Sequence, residues 1–281
     1  MLRAIRVLGW ISLGLIGLVL LAAIAIWLRS EQLMRETFTP PSERIAATTD
    51  PAAIQEGGRL ARIHGCLGCH GDHAQGDVLL DEPVIGKIVS PNLVAAVQRY
   101  SDAQLAGIIR RGIKPDGHTM LVMPSQTYTP LADEDLARIL GFLRSLPQVS
   151  GPATTIDVGP VGRVGLAAAK FKTSARLVAD AKAPADAADA MAARGRYLAR
   201  TSCALCHGAD LKGEEHPEGY APNLRIAGAY SPADFRQLMK TGIGLGGRKL
   251  GVMTNWARGE LSHFNDDEIE AVHAYLRSLG Q

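Results

Sequence analysis

Two pentapeptides hold every cysteine of the chain: Cys66-Leu67-Gly68-Cys69-His70 and Cys203-Ala204-Leu205-Cys206-His207. Two thiols three positions apart with a histidine directly behind them form the attachment signature of c-type haem. The thiols can add to the two vinyl groups of one porphyrin, and the histidine then sits under the iron as its proximal ligand. Zinc would normally draw all four thiolates into one cluster. A thioredoxin-like dithiol would need a βαβ setting, which the chain does not show. A disulfide within each pair would leave both histidines unexplained. The pattern therefore predicts two covalently bound haems c, and with them one-electron iron chemistry.

The elements around the motifs repeat. Gly58-Arg59 matches Gly195-Arg196 at an offset of 137, which the two motifs share. Pro91-Asn92-Leu93 matches Pro222-Asn223-Leu224 at 131, and Tyr100-Ser101 matches Tyr230-Ser231 at 130. Phe142-Leu143-Arg144-Ser145-Leu146 matches Tyr275-Leu276-Arg277-Ser278-Leu279 at 133. The offset drifts only through short insertions, so one domain has been copied once. Each copy reads as mostly helical. A first helix (52–64 and 189–202) leads into the motif. A second starts behind Ser101 or Ser231, both good N-caps. A last helix opens on acids, near Asp133 and near Asp266, as the helix dipole prefers. Gly/Pro-rich loops join them, without convincing strands. Residues 150–188 belong to neither copy and read as a connector with one short helix near 164–171, packed or as a flexible tether.

The second axial ligand decides what the iron does. The offset of 130 that pairs Gly112 with Gly242 also pairs Met123 with Met253 and leaves Met120 opposite Leu250. Met123 and Met253 are the expected distal ligands, which would close both irons to substrates and suit electron transfer. Met120, Met191 and Met239 read as core filler. The remaining histidines (64, 73, 118, 216, 263, 273) form no matched pair across the repeat and are expected mostly at the surface. Tyr100, Tyr230, Trp256, Arg110 and Lys240 either meet haem propionates or serve packing and helix ends.

Composition bounds the setting. The chain has 281 residues, and aromatics make up 5%, which is few for two cores unless a porphyrin supplies apolar bulk. Net charge is +2. The first thirty residues hold three arginines and no acid, leaving 27 basic against 28 acidic residues, so no nucleic-acid footprint exists. An uncharged run of 22 residues, 7–28, lies between Arg6 and Arg29. It is long enough for a hydrocarbon core of about 30 Å, beyond a typical signal-peptide core, and is expected to anchor the chain in the lipid bilayer. Basic residues ahead of it place the N-terminus in the cytoplasm. The haem domains would then lie on the periplasmic side of a bacterial inner membrane.

Helix, CxxCH, Pro-Asn-Leu, distal methionine and a last helix with an aromatic-Leu-x-x-Leu end together resemble class I cytochrome c. The resemblance covers about 53–149 and 189–281. It implies an all-α fold of two tandem class I cytochrome c domains after an N-terminal transmembrane helix. The expected layout is an anchor (1–30), a linker (31–52), domain one (53–149), a connector (150–188) and domain two (189–281). It also implies that the backbone carbonyls of Pro91 and Pro222 receive the Nδ1–H of His70 and His207. Met123-Pro124 fits the family's frequent Met-Pro; Met253-Thr254 departs from it. The tandem arrangement is similar to membrane-bound dihaem subunits that serve periplasmic dehydrogenases and respiratory oxidases. The expected activity is electron transfer between such a donor and a cytochrome or oxidase, with redox partner proteins and no catalysis by the chain itself. A dihaem peroxidase is the alternative enzyme reading and a haem-based sensor ranks behind it.

Overall fold

The computed structural model describes residues 2–182, 189–216 and 219–279. Helix α1 (Leu2–Met34) stands apart from the remainder over most of its length. It is the one described helix long and apolar enough to cross a membrane, and Trp10, Leu13, Leu18 and Trp27 are all exposed along it. It runs four residues past the expected anchor. The following stretch is not free: Phe38 N–H donates to Gly117 O, Thr48 N–H to Ala137 O, and Glu43 pairs with Arg110.

The first unit contains α2 (Pro51–Ile63), α3 (Cys66–His70), α4 (Leu93–Arg99), α5 (Asp102–Arg111), α6 (Ser125–Tyr128) and α7 (Asp133–Ser145). Asp50 caps α2 and leaves Pro51 at its first position, where the missing N–H costs nothing. Ser101 and Gln104 close a capping box at the start of α5. The connector supplies α8 (Pro160–Ala167) and α9 (Ser174–Asp180). The second unit contains α10 (Ala190–Leu198), a π-turn over Ala199–Cys203, α11 (Ala204–His207), α12 (Pro232–Thr241), α13 (Val252–Gly259) and α14 (Asp266–Ser278).

In each unit the first and last helices cross in close contact, α2 on α7 and α10 on α14. A Cβ on Gly57 would lie 2.0 Å from Arg138 O, and one on Gly195 would lie 1.9 Å from Ala271 O. Only glycine lets these backbones approach so closely. The crossing corrects the sequence alignment. Gly195 corresponds to Gly57, not Gly58, and buried Leu60-Ala61 corresponds to buried Leu198-Ala199, an offset of 138. One residue is lost before the motif. Domain one turns through His64-Gly65, whereas domain two runs straight on through the π-turn.

Strands are present where loops were expected. β1 (Val78–Glu82), β2 (Gly86–Val89) and β3 (Thr155–Val158) form an antiparallel sheet, and β3 comes from the connector. Two small hairpins, β4 (Glu214–His216) with β5 (Gly219–Ala221) and β6 (Ile243–Gly244) with β7 (Arg248–Lys249), lie in the second unit. These segments are too short for alternation to register. The connector is accordingly a strand and two helices packed on domain one, not one helix; its stretch 183–188 lies outside the described residues.

Candidate functional site

Each motif ends in the same turn. Gly71 (φ 80°) and Gly208 (φ 78°) follow the histidines, and the next turn places buried Ala74 (φ 59°) and Leu211 (φ 61°) in the left-handed region. Ala74 N–H donates to Gly71 O and Gly76 N–H to His70 O. Leu211 N–H donates to Gly208 O and Gly213 N–H to His207 O. Ala74 O and Leu211 O then receive Leu93 N–H and Leu224 N–H. Non-glycine residues at positive φ are held only where neighbours over-determine them. Here the network brings the Pro-Asn-Leu loop back to the motif.

That return puts Pro91 O 2.8 Å from His70 Nδ1 and Pro222 O 2.7 Å from His207 Nδ1. A carbonyl can only accept, so Nδ1 carries the proton in each ring. Burial holds both histidines below their ordinary pKa. Each is a neutral imidazole with a free Nε2 lone pair, the form a metal takes, and the second-shell bond raises its basicity. None of the four cysteines is in a disulfide. Burial pushes Cys66 and Cys203 up to about 12 and Cys69 to about 11. Two adjacent thiols beside an oriented neutral imidazole fit covalently attached haem.

The methionine loops resemble one another with one difference. Met120 N–H donates directly to Gly112 O, whereas Leu250 N–H donates to Thr254 Oγ1, which in turn donates to Gly242 O. Met120 and Leu250 thus hold equivalent places on the loop, and the backbone of each fastens it to the end of α5 or α12. Met123 lies just ahead of α6, its carbonyl receiving Ser125 N–H and Ser174 Oγ–H. Met253 lies in the first turn of α13 and packs on the core. Arg110 and Lys240 are also equivalent, but each donates to a backbone carbonyl ahead of the last helix, at Leu131 and Phe264. They fasten chain ends rather than reaching toward the motifs.

The two units meet at their motifs through a reciprocal interface that the sequence did not reveal. Arg59 binds both oxygens of Glu268 at 2.8 and 2.9 Å. Tyr197, the residue equivalent to Arg59, donates to Asp135, the residue equivalent to Glu268, at 2.6 Å. Between these pairs His64 Nδ1 lies 3.2 Å from Thr201 O and 3.2 Å from Ser202 Oγ. His64 and Thr201 are themselves 137 positions apart. Such i-to-j and j-to-i contacts are those of a twofold interface. Trp256 from domain two fills the space over Gly65 and Gly68, where a Cβ would meet its ring at 2.7 and 2.8 Å. Tyr128 O–H donates to His64 O, and burial pushes its phenol well above the ordinary tyrosine range.

Two corrections follow for the histidines. His64 is 1% exposed rather than at the surface, and burial pulls it down to about 4. His273 is also buried, stacked on Phe235 with ring centroids 4.6 Å apart. The acid at the site is Glu260, which sequence reading passed over. Its side chain is 6% exposed, 3.9 Å from Arg62, and burial pushes it up to about 7. Glu268 sat in an acid run taken as a helix start. It does close a capping box with Asn265, and it also reaches Arg59.

Comparison with known proteins agrees with the repeat. The family model described as Cytochrome c matches residues 54–147 and 192–280. The chain is 28% identical over 265 residues to the gluconate 2-dehydrogenase cytochrome c subunit of Pantoea cypripedii, covering 82% of this chain and 60% of that protein. It is 26% identical to the fructose dehydrogenase cytochrome subunit of Gluconobacter japonicus, covering 85% and 55%. It is likewise 26% identical to the cytochrome c subunit of alcohol dehydrogenase (quinone) from Gluconacetobacter polyoxogenes, covering 82% and 56%. The chain thus spans little more than half the length of these relatives.

Proposed function

This chain belongs to the cytochrome c family, and on that premise we propose that it is a membrane-anchored dihaem electron carrier serving a dehydrogenase complex. The observation that carries the reading is the doubled motif: two CxxCH turns, each with its histidine oriented by a proline carbonyl. Haem, when bound, supplies a one-electron Fe(III)/Fe(II) couple. Cys66 and Cys69 would hold one group and Cys203 and Cys206 the other. His70 and His207 would ligate from the proximal side through Nε2, with Pro91 and Pro222 fixing their rings. Met123 and Met253 would ligate from the distal side and leave no open position.

The surroundings suit transfer rather than bond-making. Trp256 packs over Gly65 and Gly68, and Tyr128 O–H ties its helix to His64 O. Each domain is nearly neutral, 9 basic to 10 acidic residues in 53–150 and 11 to 11 in 189–281. Long-range steering is therefore weak, which favours standing association with partner subunits over diffusive encounter. The relatives named above are cytochrome subunits of dehydrogenases, and none is a peroxidase. In our reading α1 holds the chain in the inner membrane with both haem units in the periplasm, and the donor is a sugar- or alcohol-oxidising subunit of the same complex.

Spectroscopy of the oxidised protein tests this. Two haems per chain by pyridine haemochrome, both low-spin with the near-infrared band of methionine ligation, are expected. One haem per chain, or a high-spin iron in the resting protein, would overturn the assignment.

A further inference from the structure

The connector leaves an apolar surface that electron transfer does not explain. Helix α8 packs against the outer end of α1, the end that follows the uncharged run. Arg163 pins it there: its guanidinium lies 5.8 Å from the centre of the Trp27 ring and donates to Ser30 Oγ at 2.9 Å and Glu31 Oε2 at 3.0 Å. Ser30 and Leu33 of α1, and Gly162 and Leu166 of α8, are buried. The other face of α8 presents Val161 and Val164, 57% and 47% exposed. The tip of the β1–β2 hairpin extends this surface with Val84 and Ile85. It is tied down by Val161 N–H to Val84 O at 2.8 Å and Gly159 N–H to Ile85 O at 2.9 Å. Phe171, beyond α8, lies against Gly165 and is 40% exposed.

We propose that Val84, Ile85, Val161, Val164 and Phe171 dock on the interfacial zone of the bilayer where α1 emerges, and so fix how the haem units face the membrane. The proposal rests on α1 spanning the membrane. Lipid is the occupant because the patch is continuous with the helix that would enter it. Trp27, a residue type that settles at headgroup depth, is bonded through Arg163 to the same helix that carries Val161 and Val164. Aliphatic and aromatic side chains at that depth are removed from water, whereas a monomeric protein would leave such a patch exposed at a cost. Lys170 flanks Phe171, where a cation can meet lipid phosphate.

The test uses the full holoprotein in nanodiscs of phosphatidylcholine and phosphatidylglycerol, without partner subunits. The native cysteines are consumed by haem attachment, so one added cysteine takes a single nitroxide. Labels go on Val164→Cys, on Val161→Cys as a second patch position, on Val19→Cys within α1, and on Val252→Cys, exposed on domain two. Oxygen and a water-soluble nickel chelate then compete to relax each label. The expected result is an oxygen-to-nickel accessibility ratio at 161 and 164 several-fold above that at 252, with 19 higher still. A ratio at 161 and 164 equal to that at 252, with 19 in lipid, overturns the docking while α1 still spans. A water-like ratio at 19 overturns the spanning reading itself.

Discussion

Replacing Arg59 with alanine tests whether the reciprocal interface holds the two CxxCH units as one body. Arg59 makes five hydrogen bonds: two to Glu56, two to Glu268 and one to His263 O. Its loss leaves the Glu268 carboxylate, 4% exposed, with the Asn265 N–H and an exposed Arg194 at 3.6 Å. Breaking a fully buried ion pair costs about 3–5 kcal/mol because one charge stays behind unpaired. Arg59 is 24% exposed and Arg194 can move in, so about 2–3 kcal/mol is expected, a fall in Tm of roughly 5–10 °C for a protein of this size. Scanning calorimetry of the holoprotein measures it. The double variant Arg59→Ala, Glu268→Gln should recover part of the loss, since neither charge is then stranded. Flash reduction of one haem reports the consequence: transfer to the second should slow when the units separate. A Tm within about 1 °C of the parent together with an unchanged interhaem rate would refute the reasoning, because a stranded buried carboxylate at this interface would have to cost something.

Three other outcomes follow from the geometry. Met123→His or Met253→His should keep the haem attached and lower that haem's potential on the order of 0.2 V, within the roughly 0.8 V that axial ligands span; spectroelectrochemistry with no change at either site would remove the methionine assignment. Gly57→Ala or Gly195→Ala drives a Cβ to about 2 Å from a carbonyl oxygen, which should cost about 3 kcal/mol or more, read by chemical denaturation, since neither backbone can retreat without opening the helix crossing. Glu260 is raised from 4.5 to about 7, so the fold favours its neutral form. Its contribution is fully present below pH 4.5, declines between 4.5 and 7, and is absent above. On the order of 3 kcal/mol should be lost across that window, and Glu260→Gln should flatten that part of the pH profile. A parent profile already flat there would show that the carboxyl is hydrated.

Much of this was legible in sequence, for local reasons. CxxCH, Pro-Asn-Leu and the capped helices are set by contacts a few residues apart, so both copies announce them. Even the left-handed Ala74 and Leu211 repeat, though neither residue type would suggest it. The short strands were invisible because four-residue segments such as β2 pair with partners as distant as β3. The one-residue slip between Ala61 and Cys66 was hidden because Gly58-Arg59 happens to match Gly195-Arg196. Only the helix crossing, where a single glycine position touches the opposite backbone, identifies Gly57 as the true counterpart.

The interface was hidden for a different reason. Twofold contacts between copies place equivalent positions against one another, but chemistry at those positions need not be equal. Arg59 and Tyr197 are equivalent in space and unlike in kind, and so are His64 and Thr201. Each cross-domain bond has complementary partners, Arg59 with Glu268 and Tyr197 with Asp135, while the pairs themselves differ. A search for matched residues across the repeat discards these positions, because it rewards identity. That same search selects the shared elements of the CxxCH turns. Divergence at the interface leaves one motif flanked by Trp256 and Glu260 of the other unit. In the dihaem reading proposed above, two sites with such different neighbours would differ in polarity and charge, and unequal environments give unequal potentials. A duplicated fold can therefore give electron flow a preferred direction through the residues where its copies touch.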